Sequence, residues 1–188
     1  MAAIREAKLA DCRRLLEIYA YYVTDTAITF ETEIPELAEF QRRMETVQQR
    51  YPYLVAEADG RIVGYAYASA FHPRAAYAWA AESTVYVDRE CRHGGIGRSL
   101  YEALETALRR MGVLNLNACI GSPAGGAEDE HLTNNSEEFH AHMGYRLVGR
   151  FHKCGYKFGR WYDMIWMEKM LGEHIALPAP VQRHISKD

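Results

Sequence analysis

The apolar residues of this chain follow two periods, one typical of helices and one typical of strands. The clearest helical pattern lies between Arg98 and Met111, where apolar residues recur every three or four positions. A β-branched and aromatic run, Glu82 to Val87, comes before it and predicts a strand. Gly112 follows the helical pattern and predicts its end. The middle of the chain therefore reads as a strand, a turn and a helix.

The same patterns predict the other elements. Further strands are expected at 4–7, 53–57, 61–67, 114–120, 145–157 and 161–169. Further helices are expected after Asp11, from Pro35, and at 134–143, and the loop Thr24–Glu33 could contain a short strand at Ile28–Phe30. This order predicts an α/β (α+β) fold, with a mixed six- to seven-stranded sheet flanked by about four helices. We expect one domain over residues 1–171 and a peripheral C-terminal tail over 172–188.

Composition narrows the classes of protein to consider. The chain has 188 residues, 48% of them hydrophobic and 25% charged, which suits one soluble domain. A net charge of -3 gives no electrostatic reason to expect nucleic acid or an anionic membrane as a partner. No apolar run approaches the ~20 residues of a membrane span, and the N-terminus lacks the apolar core of a signal peptide.

The cysteines also bear on location. Cys12, Cys91, Cys119 and Cys154 are scattered, with no Cys-x-x-Cys pair. This spacing argues against a zinc ribbon or a disulfide framework, and no metal is expected. It suits a reducing compartment, so the sequence predicts a cytoplasmic protein.

A glycine-rich turn separates the central strand from its helix. It reads Arg92-His93-Gly94-Gly95-Ile96-Gly97. The first amides of a helix have no partner inside the helix, and the helix dipole adds partial positive charge there. Glycines let a ligand approach the backbone closely, so the turn can cradle a phosphate. The alternative is a glycine-rich connection that binds nothing.

The spacing of the glycines distinguishes among phosphate-binding loops. No Lys follows Gly97, as a P-loop requires, and the glycines do not form the Gly-x-Gly-x-x-Gly of a dinucleotide fold. The run Arg92-x-x-Gly95-x-Gly97 instead resembles the acyl-CoA signature of the GNAT N-acetyltransferase superfamily. Further segments resemble phosphinothricin N-acetyltransferases and, at the last of them, methionine sulfone and sulfoximine acetyltransferases: 50–57, 74–79, 82–87, 140–145 and 157–163.

The resemblance implies a GNAT acyl-CoA N-acyltransferase fold with acetyl-CoA as co-substrate. It implies that the pyrophosphate meets the turn and the pantetheine arm meets the central strand. The implied contacts are Val85, Tyr86, Val87, Arg92, His93, Gly94, Gly95, Ile96, Gly97, Arg98 and Ser99. The family often has an Asn three residues before the Ser of the helix predicted at 134–143, but here Thr133 stands three residues before Ser136. The nearby Asn135 is therefore a further candidate for this contact.

Acetyl transfer needs a neutral amine and a proton for the leaving thiolate. The resemblance implies Glu82 as the general base that deprotonates the amine. It implies His140 as the group that protonates the thiolate. The alternatives are a solvated or salt-bridged glutamate at the end of a strand and a half-buried histidine without a catalytic role. Cys119 could carry the acetyl group covalently, but a cysteine on a strand is more often a small core residue.

Acceptor recognition has four candidate residues. Arg74 or Lys157 could hold a substrate carboxylate, and Phe30 and Tyr77 could form the wall of a side-chain pocket. The alternative for each is surface charge or aromatic core.

Three functions remain open from sequence. The first is N-acetylation of a small amino-acid-like amine, of the phosphinothricin or methionine sulfone type. The second is acetylation of a protein N-terminus or lysine, and the third is a non-catalytic acyl-CoA-binding module. Members of the family that this sequence resembles form dimers, so the resemblance also implies a homodimer.

Overall fold

The computed structural model describes residues 2–91 and 94–185. In these residues there are seven strands and four α-helices. The strands are β1 (Ala3–Glu6), β2 (Tyr53–Ala58), β3 (Arg61–Ala70), β4 (Ala80–Val87), β5 (Asn115–Pro123), β6 (Arg146–Lys157) and β7 (Arg160–Met170). The helices are α1 (Cys12–Asp25), α2 (Leu37–Gln48), α3 (Ile96–Met111) and α4 (Asn135–His142). The predicted α/β organisation is confirmed.

The chain divides into two compact units. The first takes in most of the chain up to Leu116, together with the C-terminal segment from Met170. The second takes in Tyr19–Ile34 and Asn117–Lys169.

The first unit is an antiparallel run of strands in the order β1-β2-β3-β4. The hairpin of β2 and β3 turns at Asp59 and Gly60, as the sequence predicts. Helix α3 contributes Leu100, Leu104 and Leu108 to the core, all fully buried. The apolar stripe that predicts this helix is therefore the face that packs inward.

A close approach of strands and helix fixes where α3 begins. A Cβ added at Gly64 of β3 would lie 3.0 Å from the Tyr86 carbonyl oxygen and 3.3 Å from side chains of Ile96 and Leu100. Only a residue without a side chain leaves the first turn of α3 this close to β3 and β4. Gly112 ends the helix in the left-handed conformation, with φ +90°, as predicted.

The C-terminal segment makes specific contacts within the first unit. The Gln182 amide donates to the Met111 carbonyl oxygen at 2.8 Å, and the His184 amide donates to that of Arg50 at 2.9 Å. Trp79 Nε1 donates to the Ala179 carbonyl oxygen at 2.9 Å. The segment is thus hydrogen-bonded to the end of α3, to Arg50 before β2 and to Trp79 just before β4.

The second unit is built on the β6–β7 hairpin, with β7 between β5 and β6. Ala27, Leu132 and Tyr162 form a small buried cluster in it. Buried Asp163 accepts from the Lys153 amide at 2.8 Å, at an irregularity of β6 where Lys153 has φ +50°. That bond holds the bend in β6 against β7.

The structure corrects one predicted strand. Residues Ile28–Phe30 are irregular. Their loop is held by contacts other than a strand ladder: the Ala27 amide donates to the His131 carbonyl oxygen at 3.0 Å, and the Ile28 amide donates to Thr26 Oγ1 at 3.2 Å. β5 also runs on to Pro123, three residues beyond the predicted end of the strand at residue 120. Among the described residues, no helix combines the length and hydrophobicity needed to cross a membrane.

Candidate active site

The turn before α3 is shaped to leave backbone amides open to a ligand. Gly95 is the N-cap of α3, in the left-handed conformation at φ +74°, and a Cβ built there meets nothing within 4 Å. The first bond of the helix runs from the Ser99 amide to the Gly95 carbonyl oxygen, at 3.0 Å. The amides of Ile96, Gly97 and Arg98 come before that bond and point beyond the helix end. The site therefore has the room and the partial charge that a phosphate needs.

Most of the predicted acyl-CoA contacts belong to this one strand–turn–helix segment. Val85, Tyr86 and Val87 end β4 and pair with Ala66, Tyr65 and Gly64 of β3. Gly94 and Gly95 are exposed, as is Arg98. Arg92 and His93 lie outside the described residues. The structure thus brings together the predicted contacts at the end of β4 and the start of α3.

Glu82 lies on β4 opposite Ser69 of β3. Its neighbours Ala81 and Ser83 are buried, and Ser83 Oγ accepts from the Tyr101 hydroxyl of α3 at 3.2 Å. Because side chains alternate along a strand, Glu82 lies on the face of β4 away from Tyr101.

Burial raises the pKa of the Glu82 carboxyl, and no charged partner offsets that rise. Among the described residues, its carboxylate makes no ion pair or side-chain hydrogen bond. The salt-bridged alternative therefore finds no partner within residues 2–91 and 94–185. A half-buried carboxylate with a raised pKa is a better base than an exposed one, and it has the character of a proton acceptor.

His140 is buried in α4, with 4% of its surface exposed. Its Nδ1 lies 2.7 Å from the Ser136 carbonyl oxygen. A carbonyl oxygen only accepts, so Nδ1 carries the hydrogen of the neutral ring. Burial lowers the pKa of His140 to about 4, although the Ser136 contact acts in the opposite direction. At neutral pH the ring is uncharged, and its Nε2 carries no proton.

Arg74 and Tyr77 lie together at a short 3-10 turn before β4. The Tyr77 amide donates to the Arg74 carbonyl oxygen at 3.0 Å. Both side chains are exposed, and the Tyr77 ring contacts His72 with a centroid distance of 4.9 Å and Phe71 with one of 6.0 Å. Tyr77 also lines a cavity of about 230 Å³ with Trp79 and Ala80. These residues place an aromatic surface at the start of the strand that carries Glu82.

Lys157 and Phe30 meet within the second unit. Lys157 is buried, and its Nζ donates to the carbonyl oxygens of Thr26 at 2.8 Å and Thr29 at 2.9 Å. Burial lowers the pKa of Lys157, partly opposed by Glu31. Most of its donors are therefore occupied by the loop that carries Phe30, and the surface-charge alternative for Lys157 is wrong.

Phe30 itself is partly exposed. A Cβ at Gly155 would lie 2.4 Å from its ring, and the ring centroid is 6.5 Å from that of Tyr162. The Phe30 ring therefore packs directly over Gly155 of β6, and a larger residue at position 155 would displace it.

The loop before α4 is held by several side-chain hydrogen bonds. Asn135 is the exposed first residue of α4, and its amide donates to Thr133 Oγ1 at 3.4 Å. The Asn134 amide donates to Glu128 Oε1 at 2.7 Å. Asp129 accepts from the Leu132 amide at 2.9 Å and from the Tyr162 hydroxyl at 3.0 Å. The carboxylates of Glu128 and Asp129 thus hold the chain in place just before α4.

One residue next to the turn could not be identified as functional from the sequence. Asp88 follows β4 directly and is buried, with its carboxylate against Arg14 and Arg61. Nothing local marks it, because its partners lie 74 and 27 positions away along the chain. Its one sequence signal is its place between the strand and the glycine turn.

Cys119 is exposed on β5.

Comparison with known proteins identifies the family. The model of the acetyltransferase (GNAT) domain matches residues 4–166. A phosphinothricin N-acetyltransferase of Streptomyces viridochromogenes is 34% identical over 94% of this chain and 90% of its own. An L-methionine sulfoximine/L-methionine sulfone acetyltransferase of Pseudomonas aeruginosa is 33% identical over 94% of this chain and 99% of its own.

A solved structure gives the same result. The crystal structure of a GNAT superfamily phosphinothricin acetyltransferase from Sinorhizobium meliloti, in complex with AcCoA, superposes with a TM-score of 0.85. It is 36% identical, and the alignment covers 95% of this chain and 93% of that one. The family model, the relatives and the fold agree. The chain belongs to the GNAT acetyltransferases.

Proposed function

We propose that this protein transfers the acetyl group of acetyl-CoA directly to the primary amine of a small amino-acid-like substrate. The observation that carries the proposal is Glu82, a half-buried carboxylate with a raised pKa, on the strand that leads into the Gly95 turn. The relatives named for phosphinothricin and for methionine sulfoximine and sulfone support the class of acceptor.

The proposed reaction begins with the acceptor ammonium. An α-amino group has a pKa of about 8 in a peptide, and a higher one in a free amino acid, so it arrives mostly protonated. Glu82 takes one proton, directly or through one water. The freed amine attacks the thioester carbonyl carbon, and a C–N bond forms. The nitrogen then loses its second proton, the C–S bond breaks, and CoA leaves as a thiolate. The products are the N-acetyl amine and, once the thiolate gains a proton, CoA.

His140 remains our candidate for delivering that proton, with one added requirement. Its Nδ1–H is engaged by Ser136, so Nε2 must first gain a proton. The negative charge that develops on the leaving sulfur favours an imidazolium nearby. We therefore propose that Nε2 takes up the second proton of the attacking nitrogen during transfer and passes it to the leaving sulfur, so that His140 is neutral in the resting enzyme.

We also propose which residues recognise the acceptor. We assign Arg74 to the substrate carboxylate, since its guanidinium is exposed and can bind a carboxylate through two hydrogen bonds. Tyr77 and Phe30 each remain a candidate, from the sequence, for the wall of a side-chain pocket. Lys157 takes a supporting role, because its ammonium holds the loop of Phe30.

A panel of amines tests the proposal. Free-thiol release is measured with acetyl-CoA and L-methionine sulfone, L-methionine sulfoximine or phosphinothricin, beside a peptide with a free N-terminus and an N-blocked lysine peptide. We expect the highest kcat/KM for a small amino-acid analogue. A preference for either peptide would favour the protein-acetylating alternative.

A thermal-shift measurement accompanies the panel. Acetyl-CoA at about 100 times its Kd adds ~2.7 kcal/mol to the free energy of unfolding, so binding is readily seen. Acetyl-CoA binding without thiol release for any amine would favour the non-catalytic module.

We also propose a cytoplasmic homodimer. All four cysteines are free thiols, which suits a reducing compartment. The β6–β7 hairpin exposes large apolar side chains, which are Leu147, Val148, Phe151, Tyr156 and Trp161, each more than half exposed. Exposed apolar surface of this extent is typical of a protein–protein contact. A second copy of the chain is our proposed occupant.

Light scattering at micromolar concentration tests the dimer. We expect a dimer mass for the wild type and a monomer mass for Phe151→Glu combined with Trp161→Glu, since each places a charge in the apolar surface. Leu177→Glu is the matched control, because Leu177 is 89% exposed and lies outside the hairpin. A monomeric wild type would refute the proposal.

A further inference from the structure

We propose that Asp88 is a positioning residue for acetyl-CoA, whose carboxylate fixes the turn before α3 to α1 and β3. This inference rests on the proposed acetyl-CoA contact at the Gly95 turn. It assigns a role to a residue that has no place in the chemistry of acetyl transfer.

The Asp88 carboxylate collects donors from three parts of the first unit. Oδ2 accepts from Arg14 Nη2 of α1 and, at 2.9 Å, from Arg61 Nη2 of β3. Oδ1 accepts from the Glu90 amide at 3.0 Å. The Asp88 side chain is 8% exposed and that of Arg14 is 24% exposed, so the bond to Arg14 is largely shielded from water, whereas Arg61 is 54% exposed. Breaking a partly buried charge-assisted bond is costly, because the remaining charges lose their partners.

The backbone extends this anchor in both directions. The Asp88 amide donates to the Val63 carbonyl oxygen at 2.8 Å, and Arg14 Nε donates to that of Ile62 at 3.1 Å. Both acceptors lie on β3. The Cys91 amide donates to the Asp88 carbonyl oxygen at 2.8 Å. Asp88 thus joins the end of β4 to β3 and starts the 3-10 turn that follows.

The end of that turn, Cys91, lies close to the phosphate site. A Cβ built at Gly94 lies 3.6 Å from the Cys91 carbonyl oxygen, so Gly94 rests on the residue that Asp88 holds. Gly95, the N-cap of α3, comes next. The position of the open amides therefore depends on Asp88 through its bonds to the Glu90 and Cys91 amides and through the contact of Cys91 with Gly94.

The charge of Asp88 and its role as an anchor predict opposite effects on acetyl-CoA binding when the carboxylate is removed. Burial would raise the pKa of Asp88, but the Glu90 amide and the arginines outweigh it and hold that pKa low, so the side chain is an anion. An anion near a phosphate site opposes binding, and its removal would by itself tighten the binding of acetyl-CoA. Removal of an anchor would weaken it. The sign of the change therefore separates a positioning role from a simple electrostatic one.

Asp88→Asn is the test variant, and Asp59→Asn is its matched control. Asp59 is exposed at the β2–β3 turn. The acetyl-CoA Kd is measured by calorimetry, and kcat/KM is measured with acetyl-CoA and with S-acetylpantetheine, which lacks the pyrophosphate. We expect the acetyl-CoA Kd of Asp88→Asn to rise roughly 10-fold, with kcat/KM for S-acetylpantetheine unchanged.

A second variant keeps the test decisive if Asp88→Asn folds poorly. Arg14→Lys retains the charge but cannot bond Ile62 and Asp88 through one planar fork. We expect a smaller rise in the acetyl-CoA Kd, again without effect on S-acetylpantetheine. Equal losses with both donors, or an unchanged or lower Kd, would overturn the role of Asp88. A wild type that does not bind acetyl-CoA would overturn the proposed function itself.

Discussion

Replacing Glu82 by glutamine is expected to lower kcat/KM by ~10²–10⁴ while leaving the acetyl-CoA Kd unchanged. Glutamine has nearly the same shape but cannot accept the ammonium proton. Acetyl-CoA affinity should persist, because the proposed phosphate contacts lie at Gly95 and the start of α3. Steady-state kinetics and calorimetry on the same preparation measure both quantities.

The pH dependence makes this prediction more specific. Burial raises the pKa of Glu82, so the wild-type kcat/KM should fall on the acidic side at a higher pH than an ordinary glutamate would give. The loss caused by Glu82→Gln should shrink at high pH, where more of the amine is already neutral.

A cysteine variant supplies the control. Cys119→Ala should be nearly silent if transfer is direct. If Cys119→Ala abolished turnover while Glu82→Gln stayed active at every pH, the direct route would be wrong.

Replacing Gly95 by aspartate is expected to abolish acetyl-CoA binding with the fold retained. The substitution places a carboxylate beside the amides that we assign to the pyrophosphate, so like charges meet. The fold should survive, since a Cβ at Gly95 meets nothing within 4 Å. Asp is also among the residues that tolerate a positive φ best. Calorimetric titration measures the binding, and circular dichroism checks the fold.

Gly95→Asn separates charge from shape. Asparagine has the same size and a similar tolerance of a positive φ, but no charge. We expect it to retain much more acetyl-CoA binding than Gly95→Asp. Unchanged acetyl-CoA affinity in Gly95→Asp would rule out this turn as the phosphate site.

The parts of the fold that rest on local patterns could be predicted from sequence. The apolar stripe of α3 and the terminal Gly112 follow from neighbouring residues alone, and the structure confirms both. The β2–β3 hairpin is of the same kind, since Asp59-Gly60 specifies its turn. The prediction of a short strand at Ile28–Phe30 was wrong. Backbone groups of that loop form hydrogen bonds with two distant residues, His131 and Lys157, instead of with a neighbouring strand.

The environment of the site residues could not be predicted in the same way. The sequence predicts that Lys157 either holds a substrate carboxylate or is a surface charge, yet it is buried against carbonyl groups about 130 positions away. The pKa of His140 depends on burial in the folded chain, which no local pattern reports. Asp88 is another such case, because its arginines come from α1 and β3. Residue type and spacing indicate candidates, whereas protonation state and support come from tertiary contacts.

Direct transfer to an amine is the central claim, and the fate of the acetyl group tests it most directly. Purified protein is mixed with acetyl-CoA and the best amine of the panel, and mass spectrometry follows the amine, the CoA and the intact protein. We predict one N-acetyl amine for each CoA released, with the mass of the protein unchanged throughout. Acetylated protein that then passes its acetyl group to the amine, or CoA release without acetylated amine, would contradict the account.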